Sequence, residues 1–192
     1  TLVIRPNKIV SFKPGQFFFL RLEGKKLYAR HPFSVSSSPS DKDLSFTIKQ
    51  SGRFTLKARN LKAGDELRAE GPFGNFIIND EKADLVFIAG GVGITPFMSM
   101  INDNMKKSVK QNMLLLYGCK KEKEIIFKKE LDLIKEPWFK KIYVLSREEE
   151  KKGDYEIGRI NKNILLKYTQ GTKNKKFYIC GPQSMNHQIS NI

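Results

Sequence analysis

Three short stretches of the chain place small and charged residues where a phosphate or a planar ring can be held. "GGVGITP" (90–96) follows the apolar run "LVFIA". "SR" (146–147) follows "IYVL", and "CGP" (180–182) includes the last residue of "KFYIC". Gly118 ends a fourth apolar run, "MLLLY". Gly90, Gly91 and Gly93 make a loop without side-chain obstruction, which lets a ligand approach the backbone closely. Thr95 is a good N-cap, and Pro96 suits the first helical position, where its missing N–H costs nothing. Free N–H groups and the positive end of a helix would then face the loop and favour a phosphate. The pattern is not G-x-G-x-x-G, so a phosphate cradle and a plain strand-to-helix turn both stay open on this stretch alone.

Arg147 carries a planar fork that donates paired hydrogen bonds to phosphate. Its plainer alternative is surface pairing with the glutamates at 148, 149 and 150. Cys180, with Gly181 and Pro182 behind it, offers a small polarizable side chain, or simply a buried thiol at a strand end. A second set of candidates lies earlier, in "RHPFS" (30–34) and "SGRFT" (51–55). Strand alternation puts His31 and Phe33 on one face and Arg30, Pro32 and Ser34 on the other. Gly52, with the backbone around Arg53, Phe54 and Thr55, opens a short helix as a second cradle, or as an ordinary turn.

The elements that must position these residues fall into two rhythms. Residues 1–79 read as β structure. "LVIRPNKIV" and "QFFFLRL" flank a Pro14-Gly15 turn, and "LSFTIKQ" alternates Leu44, Phe46 and Ile48 with polar residues. Further strands are expected at 28–36 and 66–70, with one short helix near 54–60, as in a small antiparallel barrel. From Asp84 onward strands at 85–89, 113–117, 142–145 and 176–180 alternate with helices at roughly 96–107, 122–134 and 161–168 and another beginning near 184. That alternation predicts a parallel sheet covered by helices. The boundary is expected in the polar stretch at 79–84, giving domains over 1–80 and 81–192. In open parallel sheets ligands bind beyond the carboxyl ends of the strands, and all four strand ends carry the residues named above.

Composition narrows the partners. Thirty-five Lys and Arg against 20 Asp and Glu give a formal charge of +15 over 192 residues. That excess attracts anions, whether nucleic acid, acidic headgroups or phosphorylated cofactors. The lysines are scattered and diluted by glutamate rather than interleaved with aromatics, so nucleic acid is not the expected partner. Cys119 and Cys180 belong to no C-x-x-C pair, which argues against structural zinc and cysteine-held iron–sulfur clusters; no metal site is expected. No apolar run approaches the ~20 residues that span a bilayer.

Taken in order, "HPFSVSS", "GRFT", "GPFG", "GGVGITP", "SR" and "CGP" resemble the motifs of the ferredoxin–NADP reductase superfamily. "HPFS" in place of Arg-x-Tyr-Ser is similar to the ferric reductase and NADPH oxidase subgroup. The resemblance implies a Greek-key FAD-binding barrel followed by a parallel-sheet NAD(P)-binding domain, with a further C-terminal strand beyond residue 192. It implies an enzyme that takes hydride from NAD(P)H onto FAD and passes electrons to a one-electron acceptor such as haem or ferric iron. His31 takes the place of the cation on the flavin pyrophosphate, Arg30 assists, Phe33 supplies the stacking ring, and Ser34 contacts the flavin N5 edge. Gly52, Arg53, Phe54 and Thr55 cradle the FAD diphosphate. Gly90, Gly91, Gly93, Thr95, Pro96 and Gly118 hold the nucleotide, and Ser146 with Arg147 grips a 2′-phosphate, favouring NADPH over NADH. Cys180, Gly181 and Pro182 lie beside the nicotinamide, so Ser34 and Cys180 are the candidate catalytic residues. A membrane haem domain upstream, with this module on the cytosolic face, is the implied setting. Alternatives are the reductase of an oxygenase, a soluble flavin reductase, or a basic nucleic-acid or membrane-surface module without redox activity.

Overall fold

The computed structural model describes residues 1–22, 27–80, 82–150, 153–170 and 174–191. The chain divides into two compact units, Thr1–Asn79 with Thr95–Lys106, and Asp80–Ile94 with Lys107–Ile192.

The first unit contains β1 (Leu2–Ile4), β2 (Phe17–Leu22), β3 (Leu27–Ser34), β4 (Leu44–Phe46), α1 (Arg53–Arg59), β5 (Leu67–Phe73) and α2 (Thr95–Lys106). Its strands pair antiparallel as β1-β4 and as β3-β2-β5, with Val35 bridging to Phe46. The Pro14-Gly15 turn forms as expected. Gly15 takes a φ of 96°, and the Gln16 amide bonds to the Lys13 carbonyl at 3.2 Å. Alternation along β2 buries Phe18, Leu20 and Leu22, which pack with Val35, Phe46 and Phe54. Each fully buried ring or branched side chain of this kind contributes about 1.5–3 kcal/mol. Only Leu2–Ile4 of "LVIRPNKIV" is strand, because Pro6 interrupts the ladder. Helix α2 belongs to this unit through polar contacts. Ser99 Oγ donates to the Ser37 carbonyl at 2.6 Å, and Asn102 Nδ2 to the Ser36 carbonyl at 3.0 Å.

The second unit is a five-stranded parallel sheet in the order β10-β6-β7-β8-β9. Its elements are β6 (Asp84–Gly90), β7 (Met113–Cys119), α3 (Lys128–Leu133), β8 (Phe139–Leu145), β9 (Tyr155–Ile157), α4 (Lys162–Thr169), β10 (Lys175–Cys180) and α5 (Gln183–Ser190). Two features depart from the expected pattern. A fifth strand, β9, is three residues long, too short to leave a periodic signal. The single helix expected at 122–134 is a 3-10 turn at Glu122–Glu124 followed, after a break, by α3. The break has a cause: the buried Tyr117 hydroxyl accepts the Ile126 amide at 3.2 Å, and Phe127 takes a φ of 60°. A side chain has captured an amide that a continuous helix would have used.

Candidate functional site

Parallel register brings the carboxyl ends of the strands of the second unit to one edge. Gly90 pairs with Gly118, Gly118 with Val144, and Cys180 with Ala89. Ser146 and Arg147 continue that edge, their amides bonded to the carbonyls of Cys119 and Lys120 at 3.0 and 2.8 Å. Gly90, Gly91, Gly93, Gly118, Ser146, Arg147, Cys180, Gly181 and Pro182 are therefore neighbours on one rim. Ser146 and Arg147 are exposed, and among the described residues the Arg147 guanidinium has no ion pair. Glu148 instead accepts the Glu122 amide at 3.0 Å.

The three loop glycines have different reasons to be glycine. A Cβ on Gly93 would lie 2.2 Å from the Cys180 carbonyl oxygen, and one on Gly90 would lie 2.8 Å from Met185 Sδ and from Pro182 Cδ. These two positions are glycine because the "CGP" segment packs directly on the loop. Gly91 has a φ of 54° and nothing within 4 Å of its Cβ position. It alone combines a left-handed backbone with open space, and it is where a ligand can reach the backbone.

Thr95 is not the N-cap expected from sequence. Residues Gly91–Ile94 already form a 3-10 turn that runs into α2, so the helical path begins four residues earlier and Thr95, 6% exposed, sits inside it. The left-handed Gly91 makes that earlier start possible. Pro96, second in α2, lies where the turn changes to α-helix and no i→i−4 donor is required.

Tyr117 was not anticipated. It is fully buried, and its hydroxyl donates to the Gly91 carbonyl at 2.9 Å while accepting the Ile126 amide. Burial, first of all, raises its pKa far above that of a free phenol, so it stays a neutral donor. The available signal was a tyrosine closing an otherwise aliphatic run, since a buried phenol must find a partner. The Cys180 and Cys119 thiols are likewise pushed up, by burial in both cases, with the Glu124 charge adding to the effect at Cys119. Raised thiols are poor nucleophiles at neutral pH, so Cys180 can line a site without reacting.

In the first unit, register confirms that His31 and Phe33 share a face, opposite Leu20 and Phe18 respectively. The His31 ring stacks on Phe54 at 4.2 Å, and Phe33 lies at 5.7 Å and 20° from the same ring, tying β3 to the start of α1. Phe54 is 4% exposed, so its side chain is core and only its backbone is available to a ligand. The Thr55 hydroxyl is committed to its own turn, accepting the Ser51 amide at 2.7 Å and donating to the Gly52 carbonyl at 3.0 Å. Gly52 has a φ of 122° with open space at its Cβ position, and Arg53 is exposed beside it. Arg30 is not brought to His31. It points to the opposite face, 3.3 Å from Glu70 and over the Phe19 ring. Pro32 and the half-buried Ser34 share that opposite face, paired with Phe19 and Phe17.

Both sites fit the groups the resemblance implies: each has a positive-φ glycine with an unobstructed Cβ direction, Gly52 followed by the exposed Arg53 and Gly91 on the same sheet edge as the exposed Arg147. Comparison with known proteins agrees. Residues 87–191 match the oxidoreductase NAD-binding domain family and residues 2–89 an FAD-binding domain family. NADH-cytochrome b5 reductase 1 of Dictyostelium discoideum is 31% identical over 197 residues, covering 96% of this chain and 68% of that protein. The glycine betaine monooxygenase reductase subunit of Pseudomonas aeruginosa is 40% identical over 126 residues, 63% of this chain and 34% of its own length. Sulfhydrogenase 2 subunit gamma of Pyrococcus furiosus is 32% identical over 123 residues, 63% and 42%. The chain thus spans well under half of these last two relatives. Among solved structures, a ferredoxin NADP+ reductase from Neisseria gonorrhoeae with bound FAD and NADP superposes with a TM-score of 0.83 at 23% identity. That match covers 98% of this chain and 81% of the other. With an FAD-binding domain and a NAD-binding domain joined in this order on this fold, the chain belongs to the ferredoxin–NADP reductase superfamily of flavin- and pyridine-nucleotide-binding oxidoreductases.

Proposed function

We propose that this chain is the reductase module of an NAD(P)H-dependent flavin oxidoreductase, with FAD held by residues 1–80 and the nucleotide by residues 81–192. FAD accepts hydride from the nicotinamide and can release its electrons one at a time, a division of labour in which the protein supplies placement. The observation that carries the reading is the rim of the parallel sheet, where Gly91 leaves an open backbone approach on the same edge as Arg147, which has no ion pair among the described residues.

On that rim the Gly91 loop takes the nucleotide diphosphate, and Arg147 with Ser146 takes a 2′-phosphate by paired charge-assisted bonds. Cys180, Gly181 and Pro182 form the wall for the nicotinamide, with the neutral Cys180 side chain leaving room for the ring. In the first unit β3 is an edge strand of the β3-β2-β5 sheet. A flavin lying along that edge reaches His31 and Phe33 on one face and Ser34 on the other. Gly52 and Arg53 receive its diphosphate. His31 substitutes for a permanent cation and is charged only when the phosphate holds its proton.

The electrons pass to a haem or a ferric centre, the setting suggested by "HPFS", with the module on the cytosolic face of a membrane. Among the described residues no helix is long and apolar enough to cross one. Similarity to the monooxygenase reductase subunit supports a second reading, delivery to an oxygenase partner. Nucleotide choice is tested by Arg147→Ala, with reduction of an artificial acceptor followed. The KM for NADPH should rise about 10–100-fold, the scale of a lost charge-assisted bond, with the KM for NADH nearly unchanged. Equal effects on both nucleotides would remove the 2′-phosphate role and leave NADH, the coenzyme named for the Dictyostelium relative.

A further inference from the structure

Three glutamates follow Arg147, and the first of them is used differently from the other two. Glu148 is half-buried, whereas Glu149 and Glu150 are exposed. Its carboxylate makes no ion pair with the adjacent guanidinium and instead accepts the Glu122 amide at 3.0 Å, 26 residues back in the chain. That amide is one the turn around it cannot satisfy. Glu122 opens the 3-10 turn Glu122–Glu124, whose first N–H groups have no acceptor inside the turn. Lys121 holds the cap position, and a lysine side chain only donates, so it supplies no cap. The Glu122 carboxylate is engaged elsewhere, 3.5 Å from Lys128 Nζ.

The Glu148 bond also continues a series. Parallel pairing of β7 with β8 ends at Cys119 and Leu145. Just beyond it the Ser146 amide bonds to the Cys119 carbonyl at 3.0 Å, and the Arg147 amide to the Lys120 carbonyl at 2.8 Å. The 3-10 turn then presents an amide rather than a carbonyl. The next tie therefore needs an acceptor, and a carboxylate at 148 makes it as a charge-assisted bond. Two consequences follow for Arg147. Its backbone is held by its own amide and by a tie at the next residue. The carboxylate nearest to it in sequence is occupied by a backbone donor, so it does not fill a guanidinium fork that matches carboxylates and phosphates alike.

We propose that Glu148 is a positioning residue for nucleotide choice. By tying the 146–148 turn to the 122–124 turn, it holds Arg147 on the rim with its fork open to a 2′-phosphate. The inference rests on the assignment of Arg147 to that phosphate, and names the side chain on which the assignment depends.

The test follows reduction of ferricyanide by the FAD-loaded chain with NADPH and with NADH. Glu148→Ala should raise the KM for NADPH about three- to tenfold, the scale of one lost hydrogen bond, with kcat and the KM for NADH within about twofold of wild type. Glu148→Gln keeps an acceptor oxygen at the same reach and should restore the KM for NADPH. The bond lies at an exposed position, so the melting temperatures of both variants should stay within about 2 °C of wild type. Adding Glu148→Ala to Arg147→Ala should give no further rise in the KM for NADPH, since one residue acts through the other. Equal effects of Glu148→Ala on both nucleotides, or no effect on either, overturn the positioning role. So do a Glu148→Gln loss as large as that of Glu148→Ala, and additive losses in the double variant. These results leave Arg147 on the phosphate. An Arg147→Ala variant that treats both nucleotides alike removes the 2′-phosphate reading itself, and this inference with it.

Discussion

Gly91 and Gly93 stand two residues apart in one loop, and the structure gives them opposite roles, which a pair of alanine substitutions separates. At Gly93 a Cβ would sit 2.2 Å from the Cys180 carbonyl oxygen, 2.6 Å from its carbon and 2.9 Å from the Gly181 amide nitrogen, where ordinary contact begins at 3.4 Å. The obstacle is backbone, so the loop and the "CGP" segment must separate by about 1 Å, at a cost of roughly 1–3 kcal/mol for overpacking. Gly93→Ala should therefore lower the melting temperature by about 2–12 °C as well as weaken nucleotide binding. At Gly91 there is no clash. Alanine there costs about 1–2 kcal/mol for the left-handed backbone, a shift of about 2–8 °C at most. Its methyl, however, projects into the space assigned to the diphosphate. Gly91→Ala should raise the Kd for NADPH by about 100-fold, the penalty of a misplacement near 1 Å, while leaving FAD uptake intact. Thermal melts and calorimetric titration of both variants measure the two effects. Wild-type nucleotide affinity in Gly91→Ala, or a loss no greater than in a matched surface Gly→Ala variant such as Gly64→Ala, would refute the division of roles.

Tyr117→Phe removes the hydroxyl that bridges Gly91 and Ile126. It should cost about 1–3 kcal/mol of stability and raise the nucleotide KM about tenfold with kcat preserved; lost stability with an unchanged KM would make Tyr117 purely structural. At Asp132, burial pushes the carboxyl up, but bonds from Lys128 at 2.7 Å and Tyr143 at 2.8 Å, with the nearby Lys141 charge, hold it below its ordinary value of 3.8. A depressed carboxyl stabilises the fold above its unfolded value and loses that contribution as pH falls, so melting temperature should decline below about pH 4. That decline should be smaller in Asp132→Asn, by about 2 °C or less because the pair is partly exposed; identical acid profiles would remove the network from the account.

The sequence was most legible where one face of a strand is buried. Alternation in "QFFFLRL" and the aliphatic runs "LVFIA" and "MLLLY" located β2, β6 and β7, because burial on one face or both leaves a periodic or continuous apolar record. The strand-end rule alone gathers Gly118, Ser146 and Cys180 on one edge. What could not be read was set by single long-range contacts. The Thr95 cap is sound for an isolated helix, yet the left-handed Gly91 starts the helical path earlier. The 122–134 stretch has helical composition, and only the Tyr117 hydroxyl bonding Ile126 splits it. Phe54 reads as part of a phosphate cradle until His31 and Phe33 are found packed on its ring. The conformational demand on Gly91 and the packing demand on Gly93 look identical in one dimension, since both are satisfied by the same residue.

The most direct test of the central claim is anaerobic mixing of the FAD-loaded chain with NADPH, with flavin absorbance followed in time. The visible band of the bound oxidised flavin should bleach, and deuterium on the transferred nicotinamide carbon should slow the bleaching. NADPH and NADH that both leave the bound flavin oxidised, or a bleaching rate indifferent to deuterium under conditions where hydride transfer limits it, would contradict the central claim.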